Sequence, residues 1–117
     1  MSTLMVDSAW IIGRMRSGED FRQRLLPSLK SGLLYNCGVI RAEVLRGMKD
    51  PVVRDEASDF FDIVPEVPCN APVWRRVSEL GWTLGRRGKW PPVTDLAIAV
   101  CALRIGATLI TPDAHFD

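Results

Sequence analysis

The chain has 117 residues, 47% of them hydrophobic, and a formal net charge of +1. That length and composition fit one domain, residues 1–117, with a buried core, and exclude a disordered chain. The near-neutral balance excludes a global attraction to polyanions, so a nucleic-acid partner needs a local basic patch or a bound cation.

Residues 3–6 read as a short apolar strand that Asp7 ends. Ser8 can cap a helix over 9–15, and Asp7 reads equally well as a second capping acid. Ser17-Gly18 breaks the chain before a second helix over 19–30. Its buried face is Phe21, Leu25, Leu26 and Leu29, and Pro27 is expected to bend or split it. Arg22, Arg24 and Lys30 form its solvated side. Residues 33–36 are the second strand, Cys37-Gly38 a turn, and 39–48 a third helix. Val39, Ile40, Val44 and Leu45 face the core there. Glu43 falls at the boundary of that face, where it is either a solvated acid or one with a partner or a metal.

Asp50 caps a fourth helix that begins with Pro51 and runs to about Asp62. Its Arg54, Asp55, Glu56 and Asp59 read as surface. Residues 63–65 form a short third strand, and Pro65 and Pro68 mean that it is an edge or ends quickly. The longest helix covers 70–87, with a core stripe of Val73, Val77, Leu80 and Leu84 flanked by Trp74 and Trp82. Arg86, Arg87 and Lys89, beside Trp90, are either phosphate contacts or a charged solvent loop. Residues 96–103 are apolar on every face, too short to span a membrane and so a helix buried in a core. Gly106 ends it in the left-handed conformation. Residues 107–110 form a short strand of the kind buried on both faces of a parallel sheet, and Asp113 lies past its end. His115 reads as a substrate or metal contact or as a partly buried surface histidine.

Cys37, Cys69 and Cys101 are odd in number, widely spaced and without a C-x-x-C pair. They are expected to be reduced, buried thiols in a cytoplasmic protein, neither a disulfide framework nor a zinc site. No secretory signal or transmembrane segment is expected. Phosphate-cradling glycine loops, hydrolase elbows and H-E-x-x-H are absent from the sequence.

Four acids form a pattern. Asp7 ends the first strand, Glu43 follows the second, Asp95 opens the apolar helix and Asp113 follows the last strand. All four can meet beyond the carboxyl ends of a parallel sheet, where open α/β folds build sites. Clustered carboxylates repel one another unless a cation is present. Oxygen-only donors suit Mg²⁺ or Mn²⁺, and such ions suit phosphoryl chemistry.

Four blocks then carry a family resemblance. They are Val6-Asp7-Ser8, Ala42-Glu43-Val44-Leu45-Arg46-Gly47, Val93-Thr94-Asp95-Leu96-Ala97-Ile98-Ala99 and Leu109-Ile110-Thr111-Pro112-Asp113-Ala114-His115-Phe116. In order and spacing the sequence resembles a PIN-domain ribonuclease, most closely the VapC-type toxin of toxin–antitoxin pairs. The resemblance implies a three-layer α/β/α fold around a parallel sheet. It also implies a metal-dependent endoribonuclease that cuts tRNA, rRNA or mRNA, leaving a 5′-phosphate and a 3′-hydroxyl. Asp7, Glu43, Asp95 and Asp113 match the family's acidic quartet, Ser8 matches its hydroxyl residue, and Asp117 is an optional extra acid. A homodimer and a VapB-like antitoxin whose tail covers the site are implied too. Relatives continue past the T-x-D segment into a further short strand, whereas this sequence stops at Asp117, which implies a bare or partner-covered sheet edge. The alternative of another class is a non-catalytic PIN scaffold that binds RNA or protein. A haloacid-dehalogenase-type phosphohydrolase is disfavoured, because no D-x-D follows the first strand.

Overall fold

The computed structural model describes residues 2–112. Its strands are β1 (Leu4–Val6), β2 (Leu34–Cys37), β3 (Glu66–Val67) and β4 (Thr108–Ile110). Its helices are α1 (Ser8–Arg16), α2 (Phe21–Lys30), α3 (Gly38–Arg46), α4 (Pro51–Ile63), α5 (Ala71–Arg86) and α6 (Val93–Arg104). The strands form one parallel sheet in the order β3-β2-β1-β4. Register is set by Leu4 opposite Leu34 and Thr108, and by Cys37 opposite Val67. Helices flank this sheet in the expected α/β/α arrangement.

The chain leaves β1 toward β2 and β3, then returns to lay β4 on the other side of β1. The order therefore reverses between β1 and β4, the place beyond the carboxyl ends where open α/β sheets build their sites. The amide of Asp7 donates to the carbonyl of Ile110 at 2.9 Å, which fixes the end of β4 beside the end of β1.

The core is built from Met5, Ile11, Ile40, Val73, Ile98 and Val100. Phe21 packs edge-on against Phe60 with centroids 5.6 Å apart, and Phe61 stacks on Phe21, so α2 and α4 close one side. Each such buried ring contributes about 1.5–3 kcal/mol. α6 buries Leu96, Ala97, Ile98, Val100, Cys101 and Ala102, as its apolar run requires. Leu103 departs from that reading and is 68% exposed.

Several boundaries differ from the sequence reading, each for a local reason. α1 starts at Ser8 with Asp7 as its N-cap residue, so Ser8 is inside the helix and not its cap. α2 starts two residues later than expected because Asp20 accepts from the Arg22 amide and caps it. Pro27 neither splits nor ends α2. It is exposed, as are Leu26 and Gln23, the residue whose carbonyl loses its helical partner to the proline. Cys37 belongs to β2, and α3 begins directly at Gly38 without a separate turn. α4 runs to Ile63, which pushes β3 to Glu66–Val67. β3 is an edge strand, as the prolines indicated. β4 is the other edge among the described residues, so its side chains are half-buried or exposed, not buried on both faces. Gly106 has φ +63°, the left-handed stop expected after α6. Among the described residues no helix is long and apolar enough to cross a membrane.

Candidate metal-binding active site

β1 ends one residue before α1 begins, and Asp7 occupies that junction. Its extended backbone points the chain out of the sheet, and its side chain makes no capping hydrogen bond. Ser8 follows and is buried. α3 packs against α1, which brings Glu43 across to this junction. The Ser8 hydroxyl donates to Glu43 Oε1 at 2.7 Å and lies 3.4 Å from Asp7 Oδ1. One hydroxyl has one proton, and the shorter contact takes it. Ser8 therefore orients Glu43 beside Asp7. This is a different task from the helix cap read in the sequence.

Asp95 stands in the first turn of α6, where the helix dipole favours a carboxylate. Its charge reaches Asp7. Burial, first, and then the Asp95 carboxylate raise the Asp7 carboxyl above its ordinary range. Glu43 adds to the rise, while the amides of Ala9 and Ser8 pull the other way. Among the described residues no Lys or Arg pairs with Asp7, Glu43 or Asp95. The structure thus brings these three predicted acids into one electrostatic group with uncompensated negative charge.

Asp113, His115 and Asp117 lie outside the described residues. The end of β4 leads toward the group, since the Ile110 carbonyl is held by the Asp7 amide. Arg86, Arg87 and Lys89 are all exposed. Arg86 stacks over the Trp82 ring, 4.9 Å from its centroid. The Lys89 amide folds back onto the Leu84 carbonyl at 2.9 Å, and Gly88 takes φ +75° to allow that turn.

The donor set suits a hard divalent cation. It consists of carboxylate oxygens, with no sulfur or imidazole among the described members. The carboxylates do not close into a cage with all oxygens within 4.8 Å of one another, since the group that meets that spacing among the described residues is a different one. An open arrangement is what Mg²⁺ accepts, because it keeps several of its waters.

That other group is Cys37, Cys69 and Cys101. The sequence alone gives reduced, buried thiols with no metal-binding spacing. They instead converge, and Cys69 is only half-buried. Their spacing along the chain matches no short motif, so only the fold reveals the cluster.

The PIN domain family matches residues 4–117, and the chain belongs to that family. Its fold is shared by solved structures of VapBC proteins. The chain superposes on the structure of VapBC2 from Rickettsia felis bound to a DNA fragment from the promoter with a TM-score of 0.76 and 21% identity, covering 97% of this chain and 90% of the other. VapBC-1 from nontypeable Haemophilus influenzae gives 0.72 and 21%, covering 97% and 88%. DNA-bound VapBC from Salmonella typhimurium gives 0.66 and 15%, covering 87% and 80%. No curated protein matches the sequence.

Proposed function

We infer that this PIN-domain chain is a metal-dependent endoribonuclease and the toxin of a VapBC-type pair. The observation that carries the reading is the cluster of Asp7, Glu43 and Asp95 at the strand-order reversal, with charge that no Lys or Arg among the described residues offsets. Asp7, Glu43, Asp95 and Asp113 would hold Mg²⁺ or Mn²⁺, directly or through water. When bound, such an ion makes a water nucleophilic near neutral pH and stabilises charge on a phosphodiester. The chain's own residues do the rest. Ser8 keeps Glu43 oriented, and one or more of the acids orients the water that attacks phosphorus. The P–O3′ bond breaks, leaving a 3′-hydroxyl and a 5′-phosphate. Arg86, Arg87 and Lys89 hold flanking RNA phosphates, and His115 is a further substrate contact.

The partner reading rests on likeness to VapBC complexes and on an apolar surface. Trp74, Val77, Gly81, Trp82, Trp90 and Val93 line an open groove of about 340 Å³. Trp82 and Trp90 are largely exposed. Exposed aromatic surface of this kind suits a partner. A second copy and a VapB-like antitoxin are the partners assigned, with an antitoxin Arg pairing the carboxylates.

The test is cleavage of structured RNA by antitoxin-free protein with Mn²⁺, Mg²⁺ or EDTA, beside Asp7→Ala prepared identically. Cleavage that needs metal and disappears in Asp7→Ala supports the nuclease. Equal cleavage by both proteins means a contaminant. RNA binding without cleavage by either, across tRNA, rRNA and mRNA substrates, turns the reading to the non-catalytic scaffold.

A further inference from the structure

The three cysteines occupy three separate segments. Cys37 is the last residue of β2, Cys69 lies between β3 and α5, and Cys101 lies in α6. Their sulfurs all stand within 4.8 Å of one another. Cys69 Sγ and Cys101 Sγ are 3.6 Å apart. Two sulfurs bound to one ion at about 2.3 Å stand about 3.8 Å apart at the tetrahedral angle. A disulfide would need about 2.05 Å. The Cys69–Cys101 spacing fits two ligands of one ion and rules out a disulfide; it is also the distance of sulfurs in simple contact.

We propose that Cys37, Cys69 and Cys101 form a second metal site, which takes one soft, thiophilic cation of the Zn²⁺ and Cd²⁺ class and is distinct from the carboxylate site. Three sulfur donors select such ions over Mg²⁺ and Ca²⁺. Cys37 and Cys101 are fully buried, while Cys69 is half-buried, so entry and any open coordination position lie on the Cys69 side. Burial pushes the Cys37 thiol up to about 11, while the amides of Ile40 and Val39, at the start of α3, pull the other way, so an incoming ion has to displace its proton. Uptake converts three thiols and one divalent ion into a tris-thiolate complex and releases three protons to solvent.

The site would add a link among three segments of the fold. It ties the end of β2, which leads into α3 and Glu43, to the β3–α5 connection and to α6, which carries Asp95. Three cysteines packed as small apolar side chains are the plain alternative. That arrangement would show no saturable ion uptake.

The experiment uses the full chain, reduced and stripped of metal, in excess Mg²⁺ so that the carboxylates are not limiting. Cd²⁺ is titrated while sulfur-to-metal charge-transfer absorption, reactive thiols and melting temperature are followed. One equivalent should saturate the band, protect all three thiols and raise the melting temperature. Asp7→Ala should bind Cd²⁺ like the wild type. Cys69→Ser, at the most accessible of the three positions, should keep the fold by circular dichroism and lose the saturable band. A folded wild type without the band overturns the proposal. So does Cys69→Ser binding Cd²⁺ as tightly as the wild type, or loss of binding in Asp7→Ala.

Discussion

Asp7 is raised by burial and by Asp95, and that shift has a pH signature. A carboxyl whose folded value lies above its unfolded value of 3.8 stabilises the fold when protonated. Its contribution is therefore fully present below that unfolded value and is lost as pH rises through the raised folded value. Asp20 has the opposite sign, because Arg22 lowers it, and its contribution is lost as pH falls. The two are separated by a difference measurement. The melting temperature of metal-free Asp7→Asn minus that of the wild type should increase as pH climbs from the ordinary aspartate range toward neutrality. A flat difference would remove Asp7 from the charge group. Ser8 makes a different prediction. Its hydroxyl holds a half-buried Glu43 at 2.7 Å, and water can replace it only in part. Ser8→Ala should cost about 1 kcal/mol in denaturant titrations. It should weaken Mn²⁺ binding by roughly tenfold in calorimetry without abolishing it, as expected for a group that orients a ligand. Unchanged Mn²⁺ affinity would leave the Ser8–Glu43 bond a purely structural contact.

α6 carries both an acid and a core stripe, so its substitutions can be divided by face. Asp95→Asn removes repulsion against Asp7 but also gives up a favourable charge at the helix start. The two effects oppose each other, and the metal-free stability should change by less than about 1 kcal/mol. Stabilisation by Mn²⁺ should vanish, and a mutant stabilised as strongly as the wild type would exclude Asp95 from the site. What the sequence makes legible follows the same division. α6 and the Gly106 stop were readable because apolar run and glycine agree. Asp50-Pro51 at the start of α4 was readable because side chain and ring each favour a helix start, and Asp50 does accept from the Val52 amide at 2.9 Å. The approach of Asp7 and Asp95 followed from strand-end and helix-start positions in a parallel sheet. Other features depend on packing between distant segments. The start of β3 depended on how far α4 runs, Pro27 on which side of α2 meets solvent, and the cysteine cluster on three connections closing together. Asp113 lies outside the described residues, so the fourth acid stays an expectation from sequence.

At the scale of the whole molecule, a net charge of +1 cannot draw RNA in by long-range attraction. Binding must come from a local concentration of positive charge, and Arg86, Arg87 and Lys89 are three exposed cations within four positions at the end of α5. Arg86 is braced on Trp82, which limits the freedom lost when it meets a phosphate. If all three neutralise phosphates of a single strand, replacing them with alanine should reduce the slope of log K against log salt by about 2. The measurement is RNA binding by Asp7→Asn in EDTA over a salt series, so that cleavage does not intervene. A weakened affinity at low salt that converges with the parent at high salt is the expected pattern. An unchanged slope would make these residues a solvated loop and move the RNA path to another face. The substitutions should leave stability within about 0.5 kcal/mol, because exposed charges away from caps and cores contribute little. Arg86 is the exception to watch, since its stacking on Trp82 is a packing contact as well as a charge. Lysine at that position would keep the charge and lose the planar stack. Arg86→Lys should therefore retain the salt slope while shifting the Trp82 fluorescence, which separates the electrostatic role of this corner from its structural one.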